Sequence, residues 1–598
     1  MTTRRVSIIL LLVSLLVPLS VWAAPQSVHH KLDRALQQAL KNGASVQRVI
    51  VRAAPGAYAT VRNLVATIGV VGAEHATLGA FAGAVSSEDL VQLAANPAVQ
   101  SVSLDAVVHA APDAAGRFGK KLALQNTLRG TLGLTTRSVD GSGVGVALID
   151  SGITASLEFA GRIQAFYDFT DGGRQVKPYD DYGHGTHIAG LIGSNGLTSL
   201  GQYRGVAPAV RFVVMKVLDA EGAGYTSDVI SAIEFAVANR DNLRIDVINL
   251  SIGHPIYEPA ATDPLVQAVE EAARAGLVVV VSAGNYGRNA ETGEVGYAGI
   301  TSPGNALSAI TVGASDMHAT VTRSDDTVPD YSSRGPTWYD AYAKPDLIAP
   351  GHGMVSTAAV KSTLYTQYPE LRAQAATGWP ELRLSGTSLA TAVTTGAVAL
   401  VLDAARHGRH RDAPPSPNAV KAILQYTSIP LENGAGDYDA LTQGAGGLNA
   451  AGAIMLASAL DLSAPVGNAC LEGDIEPVTV IGGEPLEWAQ RIIWGDSIVW
   501  GQSIVWGQSI VWGQNVLWDG NTVRGESIVW GQSIVWGQSI VWGQSIVWGQ
   551  SIVWGQSIVW GQHLVGTSSG GTVVWGLVDR PDTLVWLDLS GGAAGGIH

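Results

Sequence analysis

Four short segments, far apart in the chain, hold the side chains that acyl transfer needs: LIDSGI with Asp150, GHGTHIAG with His184, VSAGN with Asn285 and LSGTSLATA with Ser388. A serine hydroxyl is a poor nucleophile at neutral pH. It needs an imidazole to take its proton, and a carboxylate to hold that imidazole in the right tautomer and stabilise the imidazolium. The oxyanion that develops on the attacked carbonyl needs donors already in place. The Asn285 amide and the Ser388 backbone NH, at a helix N-terminus, are the candidates. Each segment alone is ambiguous, because an Asp after a strand is common and a histidine is more often structural than basic. The chain order Asp, His, Asn, Ser makes the set a strong signal. Within GHGTHIAG, His184 and His187 compete, and helical spacing alone does not choose between them. An i, i+3 histidine pair also admits a metal reading, but neither HExxH nor a third ligand accompanies it.

The elements that must position these residues are legible between about 136 and 459. The runs GVGVALID, VRFVVMKVL, DVINLSI, LVVVVSAG and AITVGA read as strands, and the stretches between them fit crossover helices. Near-continuous Val/Ile/Leu strands separated by helices imply a parallel sheet covered on both faces, with functional groups at the carboxyl ends of strands. The motifs lie at such ends. Upstream, VQRVIVRA, AYATVRNLVATIG, EHATLGAFAGAV, SSEDLVQLAANP and VQSVSLD read as a small α+β unit over about 46–110. The stretch 110–121, with Pro112, Gly116 and Gly119, reads as an accessible linker.

A chain of 598 residues implies several domains, and 46% apolar against 14% charged residues argues against global disorder. The net charge of -14 offers no basic footprint, so nucleic acid is set aside as a partner. Arg4 and Arg5 precede an apolar run from Val6 to Val21, with Ala23 behind it, which reads as a removable secretory signal over 1–23 and implies a secreted or extracytoplasmic location, the cell surface included. The single cysteine, Cys470, permits no intramolecular disulfide.

After about Gly473 a hexapeptide repeat, SIVWGQ, takes over. Tryptophan recurs every six residues from Trp488 to Trp560, with Arg524 in the one interrupted register. In a strand, Ile, Trp and Gln share one face while Ser, Val and Gly share the other. A stacked β-solenoid, an adhesive surface and a spacer are the competing readings, and the tract is either self-associating or surface-binding in the first two. Glycine beside β-branched pairs disfavours a helix.

Over about 136–459 the sequence resembles the subtilisin-like serine peptidases, or subtilases. VINLSIG and GAGY are similar to the family's two substrate-lining strands, and KPDLIAPG and QGAGGLNA to later landmarks. The resemblance implies a three-layer α/β fold with a mostly parallel sheet, the base at His184 rather than His187, and an extended peptide held between Gly222, Ala223, Gly224 and Ser251, Ile252, Gly253. Thr301 and Pro303 fall where the family builds the wall of the pocket for the residue before the scissile bond. No carboxylate lies in that segment, so an uncharged side chain is expected there. Family members continue after the nucleophile with proline and histidine, whereas Ala392 and Val393 stand here, which bears on turnover and on partition of the acyl-enzyme between water and an amine.

The expected organisation is a signal (1–23), a propeptide (24–117) whose inhibitor-like domain spans 46–110, a catalytic domain (118–460), a linker (461–487), the β-rich repeat (488–562) and a C-terminal segment (563–598). The implied function is a secreted, self-processed serine endopeptidase acting on proteins or peptides, with its own propeptide as a partner. No cofactor is required for the chemistry; structural calcium is admitted by the resemblance, with its ligands, and any other metal, unassigned. The competing reading is a surface-binding or adhesion protein whose peptidase domain is inactive or serves only its own processing.

Overall fold

The computed structural model describes residues 28–110, 127–134, 139–289, 292–407, 414–434, 436–461 and 475–494, and beyond these only the short strands given below. The signal, the linker from residue 111 and Cys470 lie outside the described residues.

The N-terminal unit contains β1 (Val46–Ala53), β2 (Gly69–His75), β3 (Ala80–Ser86) and β4 (Val99–Leu104), with helices at Arg34–Lys41, Tyr58–Ile68 and Ser87–Ala95. Its sheet is antiparallel in the order β2-β3-β1-β4. Alternation puts Val49, Val51, Phe81, Val85 and Val102 into one core, closed by Val61, Val65, Leu90 and Leu93 from the helices. Helix starts follow local chemistry. Ser86 caps Ser87–Ala95 by accepting from Asp89 N, and Asp33 caps Arg34–Lys41 by accepting from Leu36 N. A further strand, β5 (Val107–Ala110), leaves this unit and joins a different sheet.

The larger unit is built on eight strands: β6 (Gly145–Asp150), β7 (Ile163–Asp168), β8 (Arg174–Gln175), β9 (Arg211–Lys216), β11 (Val247–Leu250), β13 (Val278–Ser282), β15 (Ile310–Ser315) and β16 (Leu347–Pro350). Two short strands, β10 (Ala223–Tyr225) and β12 (Ile252–Pro255), stand outside this sheet. The order is β16-β15-β13-β11-β6-β9-β7-β8, parallel throughout except for β8. Every residue of β6, β11, β13, β15 and β16 is buried, which is why these strands read as unbroken apolar runs without alternation. The chain leaves β6 toward β9 and returns to its other side with β11, so Asp150 ends the strand at which the topology reverses.

The helix Thr387–His407 lies on β11, β13, β15 and β16 and packs against His184–Gly193. It is long and apolar enough to cross a membrane by composition, and it is buried from Thr387 to Ala405 as the central helix of this domain. The α/β class expected from the strand pattern is the class found. The stretch expected as a linker holds, in its described part, a hairpin of β20 (Val478–Ile481) and β21 (Glu484–Glu487) followed by Trp488, which is buried in the main core. Its indole NH donates to Thr479 Oγ1 at 2.7 Å, and its ring meets Tyr426 edge-on at 6.2 Å. The first tryptophan of the repeat register is therefore a core residue, because backbone bonds from Ala489 N to Ser428 O and from Gln490 N to Tyr426 O lay this segment against the domain. Trp488→Ala is expected to destabilise the catalytic domain by about 3–5 kcal/mol, with Trp488→Phe intermediate. A thermal melt unchanged by either substitution would remove Trp488 from the core.

Beyond Trp494, Ser497–Trp500 pairs antiparallel with Arg491–Trp494, Asn515–Trp518 with Asn521–Arg524 and His563–Ser568 with Gly571–Gly576, while between them short strands pair in parallel at a constant offset: Ile528 with Ile540 and Ile540 with Ile552, and Val535 with Val547. The offset is twelve residues, two hexapeptides.

Candidate active site

Asp150 and His184 meet because β6 ends where the helix His184–Gly193 begins. His184 Nδ1 lies 2.8 Å from Asp150 Oδ1 and 3.0 Å from Oδ2, and both side chains are fully buried. Asp150 Oδ1 also accepts from Ser151 N at 2.7 Å, which holds the carboxylate in place. The close approach needs glycine at two positions. Gly183 has φ 107°, and a Cβ on Gly185 would collide with the Gly152 carbonyl.

The start of this helix has a second support that the motifs did not suggest. Asp180 is buried and accepts from Gly183 N (2.7 Å), Thr186 N (2.8 Å), Thr186 Oγ1 (2.6 Å) and Ser151 Oγ (2.9 Å). Its charge sits at the positive end of the helix, and Ser151 Oγ in turn accepts from Gly185 N at 2.9 Å. Asp150 and His184 are thus tied through Ser151 and Asp180 as well as directly. The only sequence trace of this brace is the acidic pair just ahead of GHGTH.

Ser388 is the second residue of Thr387–His407. Its Oγ donates to Ser251 O at 2.9 Å, while His184 Nε2 has no hydrogen-bond partner. Both atoms are buried, and catalytic hydrogen bonds are often formed only with substrate in place. Ser388 O accepts from Ser251 Oγ, Ser251 Oγ accepts from Asn249 Nδ2, and Asn249 Oδ1 accepts from Thr395 Oγ1, at 2.9, 3.0 and 2.9 Å. This chain of bonds ties the Thr387–His407 helix to β11. Asn249 and Thr395 were not singled out by the sequence, where they look like ordinary polar interruptions of apolar runs.

Asn285 follows β13 and faces the same helix start. Its Oδ1 accepts from Thr387 N (2.9 Å) and Thr387 Oγ1 (3.0 Å), so the amide's orientation is set and the Nδ2 donor edge turns away from Thr387. His187 is placed differently from His184. It is buried, its Nε2 lies 3.1 Å from Met354 O and 3.2 Å from Leu382 O, and burial together with the charge of His184 pushes its pKa down to about 3. A neutral imidazole donating to backbone carbonyls cross-links the helix to two paired strands, Met354–Thr357 and Pro380–Leu384, of a small antiparallel sheet. Ala392 and Val393 are fully buried, and the helix runs through them without a break, Thr391 Oγ1 donating to Thr387 O at 2.8 Å.

The two segments expected to line a cleft are β10 and β12. They do not touch each other as strands; β5 lies between them, antiparallel to both, in the order β10-β5-β12-β14, where β14 is Thr301–Ser302. Gly224 is paired with Val108, Gly253 with His109 and Ile252 with Ala110, and Ala110 N donates to Gly222 O at 3.1 Å. A Cβ at Gly224 would collide with Val217 O, so the backbone approach here depends on glycine. Thr301 and Ser302 pair with Pro255 and His254 and stand beside Gly253 and Gly284.

No ligand set for calcium emerges. Among the described residues no group of three His, Cys, Asp or Glu side chains is placed to hold a metal ion. The buried Glu158 carboxylate is occupied by Ser194 Oγ, Gly196 N, Thr198 N and Thr198 Oγ1, and the carbonyls of Gly205 and Val206 receive the Arg129 guanidinium at 2.9 and 2.8 Å.

With this geometry in hand, the comparisons with known proteins are specific. Residues 141–449, about half of the chain, match the model of the subtilase family. Serine protease AprX of Bacillus subtilis is 38% identical over 319 residues, covering 52% of this chain and 66% of its own length. The extracellular serine proteinase of a Thermus species is 34% identical over 380 residues, covering 62% of this chain and 78% of its own. Among solved structures, fervidolysin from Fervidobacterium pennivorans, a keratinolytic enzyme related to subtilisin, superposes with a TM-score of 0.52 at 20% identity over 69% of this chain and 61% of that one, a likeness of fold. The chain belongs to the subtilase family and is a subtilisin-like serine peptidase.

Proposed function

We propose that the chain is a secreted serine endopeptidase made as a self-processed proenzyme, with Ser388 as nucleophile, His184 as base, Asp150 as the group that orients and stabilises the imidazolium, and Asn285 as an oxyanion donor. Asp150 holds the Nδ1 proton, which leaves Nε2 as the acceptor. Rotation of Ser388 about χ1 takes Oγ from the Ser251 carbonyl toward Nε2. Oγ then attacks the substrate carbonyl and passes its proton to Nε2. The proton goes on to the leaving amine as the peptide bond breaks, and water repeats the sequence on the acyl-enzyme. The Ser388 NH at the helix start and the Asn285 amide stabilise the intermediate oxyanion.

The observation that carries the proenzyme reading is β5. A strand of the chain's own N-terminal part fills the position between β10 and β12, and it pairs with both through the backbone. Its Ala110 stands opposite Ile252, and the next residue along that wall, Ser251, has its carbonyl 2.9 Å from Ser388 Oγ. Strand addition of this kind binds many sequences through the main chain, as a broad endopeptidase requires, and the same strand keeps other peptides out until it leaves. The expected preference before the scissile bond is for an uncharged residue, since Thr301 and Pro303 fall where that pocket's wall is expected and no carboxylate lies in their segment. In the tail, the twelve-residue offset supports a solenoid of two hexapeptides per coil.

The test is intact mass followed over time for purified wild type and Ser388→Ala, each with casein in a parallel sample. Wild type is expected to cut itself between the N-terminal unit and the catalytic domain, to digest casein and to take up a fluorophosphonate probe, while Ser388→Ala does none of these. If wild type neither cuts nor is labelled, the chain is a binding protein on a peptidase scaffold.

A further inference from the structure

The N-terminal unit meets the catalytic domain through buried acids. Asp33 has 6% of its surface exposed, Glu258 8% and Asp263 2%, and they converge where the Arg34–Lys41 helix of the N-terminal unit abuts the loop before the Pro264–Arg274 helix. Arg34 N donates to Tyr257 O across the boundary at 3.1 Å. Asp33 caps its own helix and also accepts from Leu104 N at the end of β4, and Asp263 caps the catalytic domain's helix through Oδ1, with Oδ2 buried and unpartnered. Glu258 is buried beside Asp33 and Asp263, while Ser103 Oγ of β4 is buried without a hydrogen-bond partner and Thr262 Oγ1 donates to Pro259 O. The other titratable groups packed around Glu258 are Tyr257, Tyr286, Tyr339 and Asp340, and the nearby cation is Arg34, which bonds to the Tyr339 hydroxyl. Three carboxyl groups therefore crowd one another in a buried site. At the other end of the boundary Asp228 faces Asp105, with Arg48 and His75 nearby. Beyond it, His75 Nδ1 lies 3.3 Å from Glu234 Oε2.

We propose that this boundary is a pH-sensitive latch: the N-terminal unit stays seated on the catalytic domain while Asp33 and Glu258, buried against Asp263, hold protons, and it loosens as the pH rises and those two ionise. The inference rests on the proenzyme reading above. Burial and the neighbouring Asp263 charge hold Glu258 well above the usual carboxylate range, and burial pushes Asp33 up to about 6. A carboxyl whose pKa is higher docked than free contributes docking strength that is complete below the free pKa, about 4–4.5, and is lost as pH climbs through the docked value. The latch is thus tight in acid and weak in alkali. Once the connecting segment is cut, the N-terminal unit is retained by these contacts, by β5 and by the apolar packing of Ile50, Leu78 and Ala80 against the main core.

The experiment uses wild-type full chain, allowed to process itself and purified at pH 5, then moved to pH 6, 7, 8 and 9. Release of the N-terminal unit is read by size exclusion with intact mass, and peptide hydrolysis is read at one common pH afterwards. The released fraction and the recovered activity are expected to rise together, with dissociation weakened by at least about tenfold at pH 5 relative to pH 9. Glu258→Gln keeps the shape without the charge, and is expected to stay docked at pH 9. In uncut Ser388→Ala, hydrogen exchange at Leu36, corrected for intrinsic rate, is expected to speed up over the same range, and to do so less with Glu258→Gln added. Release independent of pH, or Glu258→Gln matching wild type in both readouts, would overturn the latch. A wild type that never cuts would instead sink the proenzyme reading, and the hydrogen-exchange arm would still decide the latch.

Discussion

Asp150→Asn is expected to fold as wild type and to lower kcat on a peptide substrate by about 10⁴-fold. The carboxylate accepts the Nδ1 proton of His184 through both oxygens, at 2.8 and 3.0 Å, in a site from which water is excluded. An amide in its place can present NH₂ to Nδ1. The imidazole then carries its proton on Nε2, where it cannot accept one from Ser388. The side chain is isosteric and loses a buried charge, so the melting temperature should hold while the rate collapses. A variant retaining more than about a tenth of wild-type kcat would show that His184 does not depend on Asp150 for its tautomer.

Asn285→Ala is expected to cost about 10²–10³ in kcat with little change in KM, because an oxyanion donor acts on the transition state and not on the bound substrate. The structure complicates this substitution in a useful way. Asn285 also receives Thr387 N and Oγ1 on its Oδ1, so alanine removes a support of the nucleophile's helix along with the donor. Asn285→Asp keeps the acceptor and loses the donor. If aspartate restores the rate, Asn285 is a positioning residue; if both variants fall together at unchanged KM, it is the donor.

Much of this was legible before any coordinates. Unbroken valine and isoleucine in β11 and β13 can satisfy only a strand buried on both faces, so the parallel sheet and its crossover helices followed from composition. Glycine-flanked Asp150, His184 and Ser388 at strand and helix ends announced a reacting centre, because a close backbone approach leaves a mark in residue type. Asn249 and Thr395 left no such mark: each is a single polar residue in an apolar run, they meet each other from distant parts of the chain, and nothing local distinguishes a buried bridge from a solvated side chain. Asp180 left only the acidic pair ahead of GHGTH, which does not tell a buried brace from a solvated carboxylate. Trp488 shows the converse: periodicity placed it in the repeat, and long-range hydrogen bonds place it in the core.

The residues by themselves determined the fold class, the groups available for acyl transfer and their order along the chain, since period, residue type and chain order are local properties. Tertiary structure alone decided that Val107–Ala110 occupies the cleft between β10 and β12, that the Ser388 hydroxyl turns to Ser251, and that Asp33, Glu258 and Asp263 share one dry boundary. Strand pairing is written in the backbone, which is the same for every sequence, and burial of a charge depends on which distant surface covers it.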